Sequence, residues 1–385
     1  MLMTPCSRRK FLGAVGATAA GTLLAGRASL LAATAPAGRV AVGRCREYGP
    51  GVTATMATLF DQLGGVDKLV RGKTVAIKIN MVGFALDRVG SLNQEDTYWV
   101  HPDVIGAAIH LFSQAGAYRV RVVEGAMGTA EPLEELMLQA NWEPRNLLNA
   151  GPRVEMENTN FLGYGKKYSR FMVPGGGLMY TGYDLNHSYE DCDVFVSLTK
   201  MKEHLTAGVT LSMKNCFGIT PCTIYGQSAP EDEPGLVPKL GRTPFHAGNR
   251  RPPKSAPPPV ELISSRGGGY RVPRVVADLV HSRPIHLSII DGIKTIAGGE
   301  GPWAPHARQV KPGLLIASTN CVNADAVGMA LMGFDPMADR GTPPFETADN
   351  TLRLAEGLGV GSRDLKRIEV VGTSIAEGRF DFRSA

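Results

Sequence analysis

The sequence lacks the cysteine patterns of redox carriers. Its six cysteines form no CxxC pair, no CxxCH haem-attachment motif and no ferredoxin-like run. No iron–sulfur, haem or nucleotide motif is present, and no GxSxG nucleophile elbow. The uninterrupted uncharged stretch Phe11–Gly26 is 16 residues long and closed by Arg27. A membrane-spanning helix needs about 20 residues, so no stable span is expected. Charge of one sign is also missing. Residues 1–37 hold Arg8, Arg9, Lys10 and Arg27 and no acid, leaving 37 basic against 36 acidic side chains in the remainder. So small an excess creates no field that would draw the protein to nucleic acid or anionic membranes. With 43% hydrophobic and 20% charged residues, the composition is that of a soluble globular chain.

What is present begins with a leader. Ser7-Arg8-Arg9-Lys10-Phe11-Leu12 is a twin-arginine pattern, followed by a mildly apolar Gly/Ala-rich run. This predicts a twin-arginine signal peptide over 1–37, with Ala35 and Ala37 offering a cleavage site before Gly38. The expected location is therefore periplasmic or otherwise exported, with the twin-arginine translocase as the partner during export. Cys6 would leave with the signal, and Cys45, Cys192, Cys216, Cys222 and Cys321 would remain. Cys216 and Cys222 are close enough to form a local disulfide, although buried thiols are the favoured expectation.

From residue 73 the chain alternates between strand and helix patterns. Strands are predicted over 73–80, 118–124, 192–200, 285–291, 314–319 and 367–371. Helices are predicted from His101-Pro102-Asp103 to Gln114 and from Asn323 to Met332. This rhythm predicts an α/β fold, with a mostly parallel sheet covered by helices on both faces. The organisation expected is one domain over 38–385, interrupted by a Pro/Gly-rich insertion or lid at 221–273. Between Pro221 and Pro273 lie ten further prolines, counting Pro273, and the run Gly267-Gly268-Gly269.

Ligands in open α/β sheets bind at the carboxyl ends of the strands. Lys78 and Asn80, Glu124, Lys200 and Asp291 end four predicted strands. The stretch Lys200–Gly218 (KMKEHLTAGVTLSMKNCFG) adds Lys202, His204, Thr210, Lys214 and Asn215. Thr206, Thr210 and Lys214 would align on a helix, whereas Thr210, Ser212 and Lys214 would align on a strand. Periodicity leaves both open. Ammonium, imidazole and hydroxyl groups at this density suit a carboxylate or phosphate. His204, Lys200 and Lys214 are the candidate catalytic residues. Lys78, Asn80, Lys202, Thr210 and Asn215 are candidate substrate contacts, joined by His246 in the insertion. Gly299 and Gly301 are candidates too, from a Gly298–Trp303 loop whose amides could cradle an anion. Asp291, Glu124 and Glu300 could hold a divalent metal if loops bring them together. Asp325 could join them, or could simply favour the start of its helix.

These residues resemble a known family. IKIN at 77–80, HPDVIGAAIHLF at 101–112, VRVVEG at 120–125 and SLTKMKEHLTAGVTLSMKNCFGI at 197–219 are similar to segments of domain of unknown function 362. So are IIDGIKTIAGGEGP at 289–302 and NADAVGMALMGFDP at 323–336. The resemblance implies an α/β architecture and, in many exported members, a twin-arginine signal. Many relatives append a ferredoxin-like domain, and this sequence has none of its motifs. No activity comes with the resemblance. The residues point to an exported enzyme acting on a small anionic substrate, with the reaction unassigned. The alternative is a periplasmic cofactor- or metal-binding carrier or maturation factor for an oxidoreductase.

Overall fold

The computed structural model describes residues 34–126, 128–160, 168–238, 240–261 and 266–384. The expected twin-arginine motif and apolar run fall on 1–33, outside the described residues. Eight strands form the central sheet: β1 (Arg39–Arg44), β2 (Thr74–Lys78), β3 (Arg119–Glu124), β4 (Val154–Asn158), β5 (Val194–Lys200), β6 (Leu287–Gly292), β7 (Leu314–Ser318) and β8 (Glu369–Gly372). Their order is β8-β1-β7-β6-β5-β2-β3-β4. Only β7 runs antiparallel to its neighbours, β1 and β6; the other pairs are parallel. The strand expectations from residue 73 onward hold, and β1 and β4 are additions.

The apolar runs of β2 and β5 are buried throughout, as strands covered on both faces must be. Because side chains alternate across the pleat, each strand feeds two cores. Ala76, Phe195 and Ile290 pack into one, and Val75, Ile77, Val194 and Ile289 into the other. The second core is completed by α1 (Gly51–Gln62) and α2 (Pro102–Gln114), through Met56, Phe60, Ile105, Ile109 and Phe112. Helix α2 starts where expected: Pro102 occupies its first turn and the His101 ring accepts from the Asp103 amide at 3.1 Å. The first core is completed by α3 (Gly268–Ser282) and α4 (Cys321–Leu331). The Asn320 side chain caps α4 by accepting from Val322 and Asn323.

Helix α3 begins inside the predicted insertion and runs past its expected end at 273. Pro273 cannot donate to the carbonyl four residues back, and the Gly269 oxygen instead accepts from the Asp349 amide at 2.8 Å. The other described residues of the insertion are irregular, with one-turn helices at Cys222–Tyr225 and Thr243–His246. Ile224, Tyr225 and Phe245 anchor it in the first core. Residues just before the expected cleavage point are also built in. Ala35 is buried, the Ala35 carbonyl accepts from Arg367 and the Pro36 carbonyl accepts from Ser362. The five described cysteines are buried free thiols, Cys216 and Cys222 included. No helix among the described residues is long and apolar enough to cross a membrane.

Candidate functional site

Strands β2, β3, β5 and β6 are parallel, so Lys78, Glu124, Lys200 and Asp291 do end at one edge of the sheet. The pleat then separates Lys78 from Lys200 and Asp291, whereas Glu124, of Val122's parity, still reaches Lys78 at 2.6 Å. Lys78 has the parity of Ala76 and the first core, whereas Asp291 and Lys200 have the parity of Ile289 and Val196 in the second. The edge therefore carries two polar clusters.

The first surrounds a cavity of about 70 Å³ lined by Lys78, Asn80, Glu124, Lys202, His204, Thr210, Lys214, Asn215 and Glu300, together with Phe217, Gly218, Gly125 and Arg242. The stretch after β5 is neither one helix nor one strand. Lys202–His204 and Gly208–Thr210 form a hairpin, and Ser212–Asn215 is a helical turn. In the hairpin Lys202 pairs with Thr210 and His204 with Gly208, so Lys202, His204 and Thr210 share one face. Gly208 permits the tight return: its φ is +75°, and a Cβ there would lie 2.5 Å from the Phe345 ring. The helical turn is held by Asp325, whose carboxylate accepts from the Ser212 and Met213 amides at 2.8 and 2.9 Å. That orients Lys214 and Asn215 toward the strand ends.

Asn215 organises the floor. Its Oδ1 accepts from Lys78 Nζ and Asn80 Nδ2, each at 3.1 Å, and its Nδ2 donates to the Lys78 carbonyl and Ser197 Oγ at 3.0 Å. Lys78 also meets Glu124 Oε1 at 2.6 Å, and Glu124 Oε2 accepts from the Met81 amide at 2.7 Å. Arg242 comes from the insertion and bolts it to the rim, donating to the Gly125 carbonyl at 2.9 Å and the Gly218 carbonyl at 3.2 Å. A Cβ on Gly125 would strike the Gly218 oxygen at 2.3 Å, so this wall needs glycine.

Lys202 and Lys214 are less well served. Lys202 is fully buried and, among the described residues, donates only to the Tyr98 carbonyl, at 2.7 Å. Lys214 sits 4.3 Å from the Phe217 ring centroid and makes no hydrogen bond with a described residue. Neither has a carboxylate within salt-bridge distance among the described residues. Burial pushes Lys202 well below its ordinary range, Glu300 opposing and Lys214 adding. Burial also pushes Lys214 down to about 7, Glu300 opposing and Arg242 and Lys78 adding. His204 is held well below its usual value by burial and by Lys214. Its Nδ1 accepts from the Thr206 amide at 3.1 Å, which assigns the neutral ring's proton to Nε2. Burial alone would raise Glu300, but His204, the Leu205 amide, the Trp303 indole and Lys214 outweigh it and hold the carboxyl at about 2. Two buried oxygens on the lining residues, Asn80 Oδ1 and Thr210 Oγ1, have no hydrogen-bond partner among the described residues.

The second cluster is closed. Lys200 Nζ donates to Asp291 Oδ2 at 2.9 Å, Tyr48 Oη at 2.8 Å and the Glu95 carbonyl at 2.8 Å. Its three protons are thus all used. Asp291 also accepts from Tyr48 and from the His101 and Ile293 amides. The His101 ring stacks on Tyr48 at 3.6 Å and is pushed down to about 3 by burial and by Lys200 and Lys294.

Lys200 and Asp291 are therefore placed away from the cavity. Glu124 and Glu300 both line the cavity, but Asp291 is held by Lys200 and Tyr48 on the other side of the sheet, so the three carboxylates do not converge. Among the described residues no group of three or more His, Cys, Asp or Glu could hold a metal ion. Gly299 and Gly301 do not line the cavity either; the loop contributes Glu300 instead. His246 stands behind the wall, its ring 5.3 Å from that of Phe217 and its Nδ1 against the Arg242 carbonyl. Arg242 and Tyr48 were missed. Arg242 lies in a stretch without periodicity, and Tyr48 lies upstream of the strand–helix pattern.

Residues 75–330 match the family model described as Domain of unknown function (DUF362). The chain belongs to that family. No curated protein matches it. Two solved structures are similar to this DUF362 chain at low TM-score. One is the lactate racemase apoprotein from Thermoanaerobacterium thermosaccharolyticum, 11% identical with a TM-score of 0.34, covering 71% of this chain and 54% of that one. The other is a Thermotoga maritima protein, 12% identical with a TM-score of 0.34, covering 68% of this chain and 55% of that one. The DUF362 chain spans about half the length of either structure. The matched region, 75–330, contains every cavity-lining residue named above.

Proposed function

We propose that this DUF362 protein is an exported enzyme that binds a small carboxylate or phosphate in the Lys202–Lys214 cavity, with Lys214 and His204 handling protons. The observation that carries this reading is a pair of ammonium groups, fully buried Lys202 and partly buried Lys214, without a carboxylate partner among the described residues, beside the orphaned Thr210 hydroxyl. Buried charges are ordinarily paired, and an anion between Lys202 and Lys214 would pair them. Thr210 could donate to the same anion. Asn80 Oδ1 needs a donor, which a ligand hydroxyl or a water could supply. A cavity of about 70 Å³ has room for a phosphate or a short acid, or for a handful of waters.

The chemistry follows from protonation states. A lysine held at about 7 exchanges a proton near neutrality, and a neutral imidazole with a free Nε2–H donates at the same time. Lys200 and Asp291 take no part, being bonded to one another and to Tyr48. Export rests on the twin-arginine pattern alone.

The test is a thermal-shift screen of the full chain with phosphate and short carboxylates, followed by turnover assays on each ligand that stabilises. Lys214→Ala is expected to abolish stabilisation. His204→Ala is expected to keep binding and lose turnover. If no anion stabilises the protein, or if both variants behave as the parent does, the reading is wrong.

A further inference from the structure

We propose that the ligand of this site is amphiphilic, with its anionic head between Lys202 and Lys214 and an uncharged apolar tail in the groove beside the cavity. This rests on the anion-site reading above and adds the class of molecule that fits it. The groove, of about 370 Å³, is far larger than the head pocket. Met81 lines both. Val82 and Gly125 line the cavity, while their chain neighbours Gly83 and Ala126 line the groove. Two segments leaving β2 and β3 therefore run unbroken from one space into the other. Trp303 packs beside this junction. Its indole N–H donates to Glu300 Oε1 at 2.9 Å, and its ring packs so closely over Gly83 that a Cβ there would lie 2.9 Å away.

The chemistry of the groove selects the tail. Phe84 and Leu86 line it while 50% and 74% exposed, and Trp99 and Leu136 are buried in its wall. Its polar groups satisfy one another: Thr129 Oγ1 donates to Glu131 Oε2 at 3.1 Å, and Gln139 Nε2 to Glu131 Oε1 at 3.5 Å. The Glu131 carboxylate repels a second anionic group. An exposed phenyl and an exposed isobutyl group beside a dry wall gain by covering with hydrocarbon.

The experiment is a calorimetric titration of the full chain with n-alkyl carboxylates from acetate to octanoate, Trp99 and Trp303 fluorescence serving as a second readout. Affinity should rise two- to fourfold per added methylene, the gain expected for burying each CH₂, and level off once the groove is full. In the Phe84→Ser/Leu86→Ser variant that slope should flatten while acetate binds as before. If octanoate binds no tighter than acetate, the tail proposal falls and the anion site stands. A slope that survives in the double variant overturns the groove as its cause. If no member of the series binds, both readings fall together.

Discussion

Lys200 and Lys202 are two residues apart and both fully buried, yet their surroundings give them different roles. Lys200 has an acceptor for each of its three protons, one of them a carboxylate. Lys202 has a single backbone carbonyl. Removing Lys200 strands Asp291 in the second core, so Lys200→Met is expected to cost about 3–5 kcal/mol of stability and to leave anion affinity at the intact site unchanged. Urea denaturation and calorimetry check the two halves of that statement. Lys202→Met removes an unpaired charge, so it is expected to keep most of the stability and to lose at least tenfold in acetate affinity. Nothing in KMK distinguishes the two lysines as a sequence. The difference lies in Tyr48, Glu95 and Asp291, which reach Lys200 from distant segments.

At the scale of elements, the site depends on the hairpin that sets Lys202 against Thr210. Gly208 at φ +75°, with the Phe345 ring where a side chain would go, makes the turn intolerant. Gly208→Ala should destabilise by about 2 kcal/mol and weaken acetate binding, both measurable on one sample. The polar residues of this stretch were legible. Its shape was not, because three short elements in succession give no sustained period. Helix α3 shows a second dependence. Buried Asp278 accepts from the Leu178, Met179 and Tyr180 amides and the Tyr183 hydroxyl, so Asp278→Ala should cost about 3 kcal/mol or more. Burial pushes its carboxyl up to about 6. The folded state therefore binds this proton more tightly than the unfolded state does. The associated stability is complete below about pH 4 and is lost as pH rises through 6. In urea midpoints between pH 4 and 7, Asp278→Asn should flatten that decline.

For the molecule as a whole, the parallel run β3-β2-β5-β6 brings the predicted strand ends to one edge of the sheet. The rule locates an edge but not a face. Alternation of side chains sends Lys78 to one core and Lys200 with Asp291 to the other, and register between strands far apart in sequence is invisible before folding. The run of prolines over 221–273 stands out in the sequence, yet the guanidinium of Arg242, which bonds to the Gly125 and Gly218 carbonyls, carried no local signal. Family membership over 75–330 places the cavity within the shared domain and leaves its ligand to chemistry. The most direct measurement is acetate affinity of the full chain between pH 6 and pH 9, because acetate keeps one charge throughout. Lys214, pushed down to about 7, must be protonated to hold an anion. We expect affinity to fall by up to tenfold per pH unit above about 7, and binding to vanish in Lys202→Met/Lys214→Met. Affinity that stays flat from pH 6 to 9, or that survives in the double variant, would contradict the assignment of this cavity as an anion site.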